Sequence, residues 1–483
     1  MSATRRKKHS KSLKEKWIPH NFQKLSVLCC LLERKFAILL DPGLGKTSIV
    51  LKLFSILKKR KSVKAMLVVA PLRPAFMAWA PEVKKWKEFS GLSLTVLHND
   101  WGKSKDKSLI EKHDIYVINP EGLKWLYGKF KNKNELPFDM LVVDESTKFR
   151  NMYSERSKIL KKLIPFFSRR YILTGSPTPK SLIDIQGQML IVDEGGTFGS
   201  TKKYFHEKYC KQVGKREWSQ YLIRNKKCRD EIHRKLKKIS IRLEAKDYLN
   251  LPEKIDNIIS IEMPKKVKKK YNEMVNKNHT VINGNEIYGD SPPSVAIKLW
   301  QMANGAIYHE LDELDAPVPS EKRKYHVLHD EKLKALEALR DELEYKPLLI
   351  AYNFVHDAKR LKKYFGKDIV FLESASSMRD VKKIEERWNN GEISMLAAYP
   401  GTAALGLNLQ KCGSDVVWFS LVNDLEAFEQ FPKRIWRQGM SGTCLRNHIL
   451  VISGSVDEIL LNRMRKKESN QMFLSKTIKT LIK

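Results

Sequence analysis

The stretch FAILLDPGLGKTSIVLKLFSIL, Phe36 to Leu57, passes from an apolar segment through Asp-Pro, two glycines, a lysine and a threonine into an apolar segment at helical spacing. A buried strand followed by a glycine turn and a helix is the context of a phosphate-binding loop. Gly43 and Gly45 allow backbone N–H groups to converge on phosphate oxygens. Lys46 is placed to reach the β- and γ-phosphates, and the Thr47 hydroxyl to ligate Mg²⁺. The strict pattern G-x-x-x-x-G-K-[ST] would put a glycine where this chain has Leu40, so the bland alternative is a strand–helix turn that is glycine-rich by chance.

The natural complement of such a loop is a carboxylate pair, and DMLVVDESTKFRN, residues 139–151, supplies one at the end of another apolar run. Mg²⁺-assisted phosphoryl chemistry needs one carboxylate for the metal or its waters and a second to orient the attacking water. Asp144 suits the first role and Glu145 the second, the alternative being an acidic strand end that caps a helix at Ser146-Thr147.

Around these two segments, apolar runs alternate with helical patterns: FAILL, AMLVVAP, LTVLH, DIYVIN, DMLVVDE and RRYILTG, then much later KPLLIAYN, DIVFLES, ISMLAAYP, DVVWFS and NHILVIS. Uninterrupted Val/Ile/Leu runs suit strands buried on both faces, and their alternation with helices implies parallel α/β sheets. The expected fold class is therefore α/β, with two parallel-sheet lobes and a helical, lysine-rich insertion between the two series. The expected boundaries are a basic, disordered arm (1–16), a first lobe (17–193), the helical insertion and linker (194–327), a second lobe (328–470) and a basic tail (471–483).

The 483 residues carry 90 Lys+Arg against 55 Asp+Glu, a formal net charge of +35, while 42% hydrophobic residues are enough for globular cores. An excess of this size points to a polyanionic partner. PKKVKKKYNEM holds five lysines between Lys265 and Lys270, and RRKKHSKSLKEK holds seven basic residues. Either run alone would pass for a solvated surface, but an excess spread along the chain favours a broad footprint on a nucleic-acid backbone. The six cysteines show no C-x-x-C spacing, so neither a zinc site nor a disulfide framework is expected, and a reducing setting fits. His326 and His329 lack a third ligand and make no persuasive metal pair. No apolar run approaches the ~20 residues that span a bilayer, and no secretory signal follows the basic N-terminus.

From Trp17 to Lys467 the chain resembles superfamily 2 nucleic-acid motors, and within them the Swi/Snf-type branch, whose lobes are RecA-like. IPHNFQKLSVLCCLLERKFAILLDPGLGKT resembles the adenine-recognising glutamine segment and first motif of that branch, with Gln23 as the match. Loops of this kind commonly relax the first glycine. VVAPLRPAFMAWAPEVKKW is similar to the next motif, which implies nucleic-acid contacts at Pro71 and Arg73; Trp79 and Trp86, seven apart, also read as core on one helix face. YVINPEGL, with Asn119, and RRYILTGSPTPKSLIDIQGQM resemble the later motifs of the first lobe, and ISIRLEAKDYLNLPEK resembles the segment that separates this branch from DEAD-box helicases. In the second lobe, AYPGTAALGLNLQ resembles the motif coupling nucleic acid to ATP, on which Gly406, Asn408 and Gln410 fall. EQFPKRIWRQGM resembles Q-x-x-x-R-x-x-R-x-G-Q, matched by Gln430, Arg434 and Arg437, with Met440 in place of the final glutamine. SLVND replaces the Asp-x-x-Trp-Asn-Pro of the family.

The resemblance implies an ATP- and Mg²⁺-dependent DNA helicase or translocase, working on duplex, forked or branched DNA without a membrane. An arginine that reaches the γ-phosphate only when the lobes close makes hydrolysis depend on closure. The lean chain resembles members from bacteria and bacteriophages, which implies a cytoplasmic setting. Two alternatives remain. One is a duplex translocase that displaces proteins without separating strands. The other is a binding module with a non-hydrolysing site, which would be marked by loss of Lys46, Asp144, Glu145 or Arg437; all four are present.

Overall fold

The computed structural model describes residues 15–102, 104–130, 136–178, 181–213, 220–309, 322–403 and 406–466. The basic arm, apart from Glu15 and Lys16, and the whole of the basic tail lie outside them. The chain divides into two compact units, one made of Met1–Pro177 and Ile185–Glu244, the other of Thr178–Asp184 and Ala245–Lys483.

The first unit is built on seven strands: β1 (Lys35–Leu40), β2 (Met66–Val69), β3 (Leu94–Val96), β4 (Ile115–Ile118), β5 (Met140–Asp144), β6 (Arg169–Thr174) and β7 (Ser240–Leu243). They lie in the order β3-β4-β2-β5-β6-β1-β7, and every pairing is parallel. Helix α1 (Asn21–Leu32) precedes β1, and helix α2 (Lys46–Lys59) leads from β1 toward β2. Strands β2, β4 and β5 are buried along their whole length, which is why their sequences are unbroken apolar runs. Leu53 and Phe54 of α2 are fully buried and Leu57 nearly so, each worth roughly 1.5–3 kcal/mol against exposure.

The second unit has β8 (Glu253–Ile261), β9 (Leu348–Ala351), β10 (Ile369–Phe371), β11 (Met395–Ala398), β12 (Asp415–Trp418) and β13 (Cys444–Ile452). Their order is β8-β13-β12-β9-β11-β10, again with parallel pairings only. Every apolar run singled out in the sequence is a strand of one of these two sheets. The fold is α/β with two parallel sheets.

The stretch 194–327, expected as a mostly helical insertion, has helices at Lys202–Tyr209, Lys226–Ile239, Lys265–Lys277 and Pro292–Ala303, but it also supplies an edge strand to each sheet. Its residues are shared between the units, with the division at Glu244. Both edge strands were hidden by their composition. In β8 the first five residues, Glu253 to Asn257, are exposed, so polar side chains interrupt the apolar pattern that marks the central strands.

Candidate nucleotide site and motor motifs

Parallel strands bring their carboxyl ends to one edge, so the segments that follow β1, β2, β4, β5 and β6 share that edge of the first sheet. This is where open α/β sheets bind ligands. The loop after β1 closes on α2, whose N-cap is Gly45 in the left-handed conformation at φ 74°. A Cβ there would stand 2.5 Å from the Gln23 side-chain nitrogen. Only glycine meets both demands at once. The Lys46 Nζ donates to the carbonyls of Leu40 at 2.8 Å and Asp41 at 3.3 Å, which folds its side chain back over the loop. Gln23 is buried and ties α1 to the same loop: its Nε2 donates to Leu44 O at 3.1 Å, while its Oε1 accepts from His20 N at 3.0 Å.

Asp144 ends β5 and is buried. Its Oδ2 accepts from the Trp79 indole N–H at 2.9 Å, and its Oδ1 from the Glu145 backbone N–H at 3.0 Å. Burial, with the Glu145 carboxylate beside it, pushes the Asp144 carboxyl up to about 6; Trp79 and the Lys46 charge pull the other way. Glu145 itself sits at φ 50°, a conformation that costs a non-glycine residue on the order of 1 kcal/mol. Ser146 Oγ donates to Gln188 Oε1 at 2.7 Å, and Gln188 Nε2 to Pro177 O at 2.6 Å, so the carboxylate segment is braced against the loop after β6. That loop packs on the loop after β1: a Cβ on Gly175 would stand 2.8 Å from Pro42 Cδ.

Three residues of this region, Trp79, Glu82 and Gln188, were not singled out for their contacts by sequence reasoning. Trp79 read as core, yet a fully buried indole needs an acceptor, and it finds Asp144. Its helix winds one wide π-turn, Ala75–Trp79, a feature frequent at functional sites. Glu82 accepts from Trp86 Nε1 at 2.7 Å and from the Ser48 hydroxyl of α2. Gln188 is a buried amide in an apolar helix, which by itself signals a bonded role.

The expected nucleic-acid residues of this unit follow neighbouring strands. Pro71 begins a short helix after β2, with Arg73 half-buried on it, and Asn119 follows β4, with its Nδ2 donating to Glu121 Oε2 at 3.1 Å.

In the second unit the two late motifs are wired to each other. Leu409 N donates to Arg434 O at 3.0 Å and Ser441 N to Gln410 O at 3.1 Å. Arg434 is buried, with its guanidinium on Gln430 O at 3.3 Å and Gln430 Oε1 at 3.2 Å. Arg437 is more exposed; it donates to Lys433 O at 2.6 Å and to Asn408 Oδ1. Glu385 lies beneath this pair, accepting from Asn408 N at 3.1 Å, and burial pushes its carboxyl up to about 7. Gly406 has φ 80° and is half-buried, as are Asn408 and Gln410. Trp436 Nε1 donates to Pro252 O at 2.8 Å, which joins the LPEK segment to the arginine motif. In the departing SLVND segment, Asp424 caps the helix Leu425–Gln430.

The donor set fits ATP with Mg²⁺. A left-handed Gly45 at the N-terminus of a 14-residue helix, a lysine beside a buried carboxylate, and the hard oxygens of Thr47 and Asp144 are what a triphosphate and a small hard cation require. Among the described residues no group of three His, Cys, Asp or Glu side chains could hold a metal by itself, and no helix is long and apolar enough to cross a membrane.

The model of the SNF2-related domain matches residues 23–307. "Putative protein p41" of Acyrthosiphon pisum secondary endosymbiont phage 1 is 29% identical over 450 residues, 90% of this chain and 93% of that protein. The human DNA annealing helicase and endonuclease ZRANB3 is 26% identical over 266 residues; the match covers 54% of this chain and 24% of ZRANB3. The SWI2/SNF2 ATPase core of Sulfolobus solfataricus, solved in complex with dsDNA, is 18% identical with a TM-score of 0.43, over 97% of this chain and 95% of that one. With more than half of its length matched by the family model, the chain belongs to the SNF2-related family.

Proposed function

We propose that this chain is an ATP-driven motor on DNA, which binds ATP with Mg²⁺, hydrolyses it, and uses the cycle to move along duplex or branched DNA. The observation that carries the reading is the meeting, at one sheet edge, of the Gly43–Thr47 loop with the Asp144–Glu145 pair, close enough for the Lys46 charge to act on Asp144. In this reading 17–193 serves as the nucleotide lobe, 328–470 as the second motor lobe, and 194–327 as the linking region.

The backbone N–H groups around Gly43 and Gly45 and the Lys46 ammonium hold the phosphates, while Thr47 and Asp144 hold Mg²⁺. Mg²⁺ held there would supply Lewis-acid neutralisation of the phosphate oxygens. Glu145 orients the attacking water. Arg434 and Arg437, with Gln430, bring positive charge to phosphoryl transfer, a contribution of roughly 10³–10⁵ in rate where such an arginine acts. Gln23 steadies the loop and reads the base. Pro71, Arg73, Asn119, Gly406, Asn408 and Gln410 contact the DNA backbone, which confers little sequence preference.

The test is ATPase activity without nucleic acid and with single-stranded, duplex and forked DNA and RNA, following strand displacement on the fork in the same series. Duplex or forked DNA is expected to stimulate more than RNA, and Lys46→Ala to abolish turnover in a folded protein. Stimulation by RNA alone, or normal turnover in Lys46→Ala, would overturn the reading.

A further inference from the structure

The helix Lys265–Lys277 lies outside every motif assigned above. Its apolar side, Val267, Tyr271, Met274 and Val275, is buried, and the Tyr271 hydroxyl accepts from Val456 N at 2.9 Å, so its orientation in the second unit is fixed. At 100° per residue, Lys265, Lys268, Lys269, Asn272 and Asn276 fall on a neighbouring flank of the helix, within an arc of about 100°. All five are exposed, as is Lys277. They line a shallow groove of about 450 Å³. The one acid in it, Glu273, is engaged by the Thr280 hydroxyl at 3.0 Å. Among the described residues these four lysines form no ion pair.

This arrangement works against the helix itself. Its first turn has no acidic residue and carries Lys265, Lys266 and Lys268, at the end where the helix dipole is already positive. Each cation there costs about 0.3–1 kcal/mol. Packing of the apolar face offsets that cost, so the lysines contribute to something other than helix stability. What they create is a rigid strip of roughly 20 Å, with three lysines over its first turn and a half, two asparagine amides beyond them as neutral donors, and Lys277 at its far end. Lysines and asparagines are donors suited to phosphate oxygens, and contacts to phosphate carry no sequence information.

We infer that the exposed face of the helix Lys265–Lys277 is an accessory binding surface for the phosphate backbone of duplex DNA, separate from the motif residues. The inference rests on the DNA-motor reading, which it deepens by adding a second place where the motor holds its track. Contact away from the nucleotide-facing motifs raises affinity without altering the hydrolytic site.

The test replaces Lys265, Lys268, Lys269 and Lys277 by glutamine, which keeps helix propensity, in the full chain. A control replaces Lys59, Arg60, Lys61 and Lys64, a basic run at the end of α2 and in the turn that follows it, by glutamine. Duplex binding is measured against salt for both and for the unaltered chain, with ATPase measured without DNA. If the four lysines each neutralise a phosphate, the log–log salt slope becomes shallower by about 3.6 in the first variant, at ~0.9 per contact. ATPase without DNA stays unchanged, and the control keeps the parent slope. An unchanged slope in the first variant, or the same loss in both, would overturn the inference and leave the motor reading intact. Tighter binding of polyglutamate than of duplex to the parent chain, lost in the first variant, would overturn it in favour of an acidic protein partner. Failure of the unaltered chain to bind duplex at all would overturn both.

Discussion

The Trp79 indole N–H donates to Asp144 Oδ2 at 2.9 Å, joining two segments that lie 65 residues apart in sequence. The Glu145 backbone N–H occupies the other oxygen, so the carboxylate is held at both ends. Trp79→Phe keeps a large buried ring and removes only the donor. The aromatic replacement is expected to fold, but on the proposed role of Asp144 in holding Mg²⁺ the Mg²⁺ concentration for half-maximal ATPase should rise by about 10–100-fold, the usual effect of losing a partner behind a metal ligand. A titration of ATPase against Mg²⁺ at fixed ATP checks this, and an unchanged midpoint would return Trp79 to a packing role.

Burial raises the Asp144 carboxyl from 3.8 to about 6, and the stability consequence has a definite sign. The folded protein holds this proton more tightly than the unfolded chain does. The associated stabilisation is complete below pH ~4, and it is lost as pH rises through about 6. At pH 8 the ionised carboxylate is therefore a liability of the nucleotide-free protein. Asp144→Asn removes the titration, so its melting temperature relative to the parent should rise between pH 5 and pH 8. The change over this range corresponds to about 1 kcal/mol. Using the difference between the two pH values cancels whatever the substitution does to the hydrogen bonds of the site. A difference that does not vary with pH would show that the group does not titrate in this range.

Much of this architecture was legible beforehand, for a physical reason. Strands buried on both faces are dominated by apolar residues, so β2, β4, β5, β9, β11 and β12 announce themselves as apolar runs, with the buried carboxylates Asp144 and Asp415 confined to strand ends, whereas β8 presents Glu253, Lys254 and Asp256 to solvent and does not. The loop at Gly43–Thr47 was legible because its glycines and lysine follow a strand and start a helix. The partners that brace the site were not. A seven-residue spacing makes Trp79 and Trp86 look like one helix face, but the helix ends at Lys85 and Trp86 is extended, and both indoles hydrogen-bond to carboxylates, Trp79 to Asp144 and Trp86 to Glu82. Likewise, spacing alone cannot tell that Arg434 is buried against Gln430 while Arg437 is the more exposed of the two.

Glu145 offers a cleaner separation of binding from chemistry. It is half-buried, in a left-handed backbone conformation. Glutamine at this position keeps the shape and the backbone demand while removing the charge. Glu145→Gln should bind ATP as the parent does and lose turnover by at least ~100-fold, as expected for a lost general base. Nucleotide affinity by fluorescence, compared with single-turnover hydrolysis, separates the two effects. Normal hydrolysis would assign Glu145 to the turn that starts Ser146–Phe149.

The pairing of Asn408 with Arg437 links the motif expected to meet nucleic acid to the arginine expected to serve hydrolysis. Asn408 is bonded at three points, donating its N–H to Glu385 Oε2 and accepting at Oδ1 from Arg437 and at its carbonyl O from Asn389 Nδ2. Any displacement of the Asn408 loop by a DNA backbone therefore bears on the Arg437 side chain, which is otherwise held by Lys433 O. Asn408→Ala cuts only the side-chain link and leaves both backbone bonds. Basal ATPase should change by less than about 2-fold, because no nucleotide-facing group is removed, while stimulation by duplex falls by about 10-fold, equivalent to ~1.4 kcal/mol of coupling. Arg437→Lys keeps the charge but not the planar fork, and should lower basal and stimulated rates together. If the two variants behave alike, Asn408 does not transmit the DNA signal and Arg437 acts alone. Equal stimulation in Asn408→Ala and the parent would place the coupling elsewhere, with the Trp436–Pro252 bond as the next link to cut.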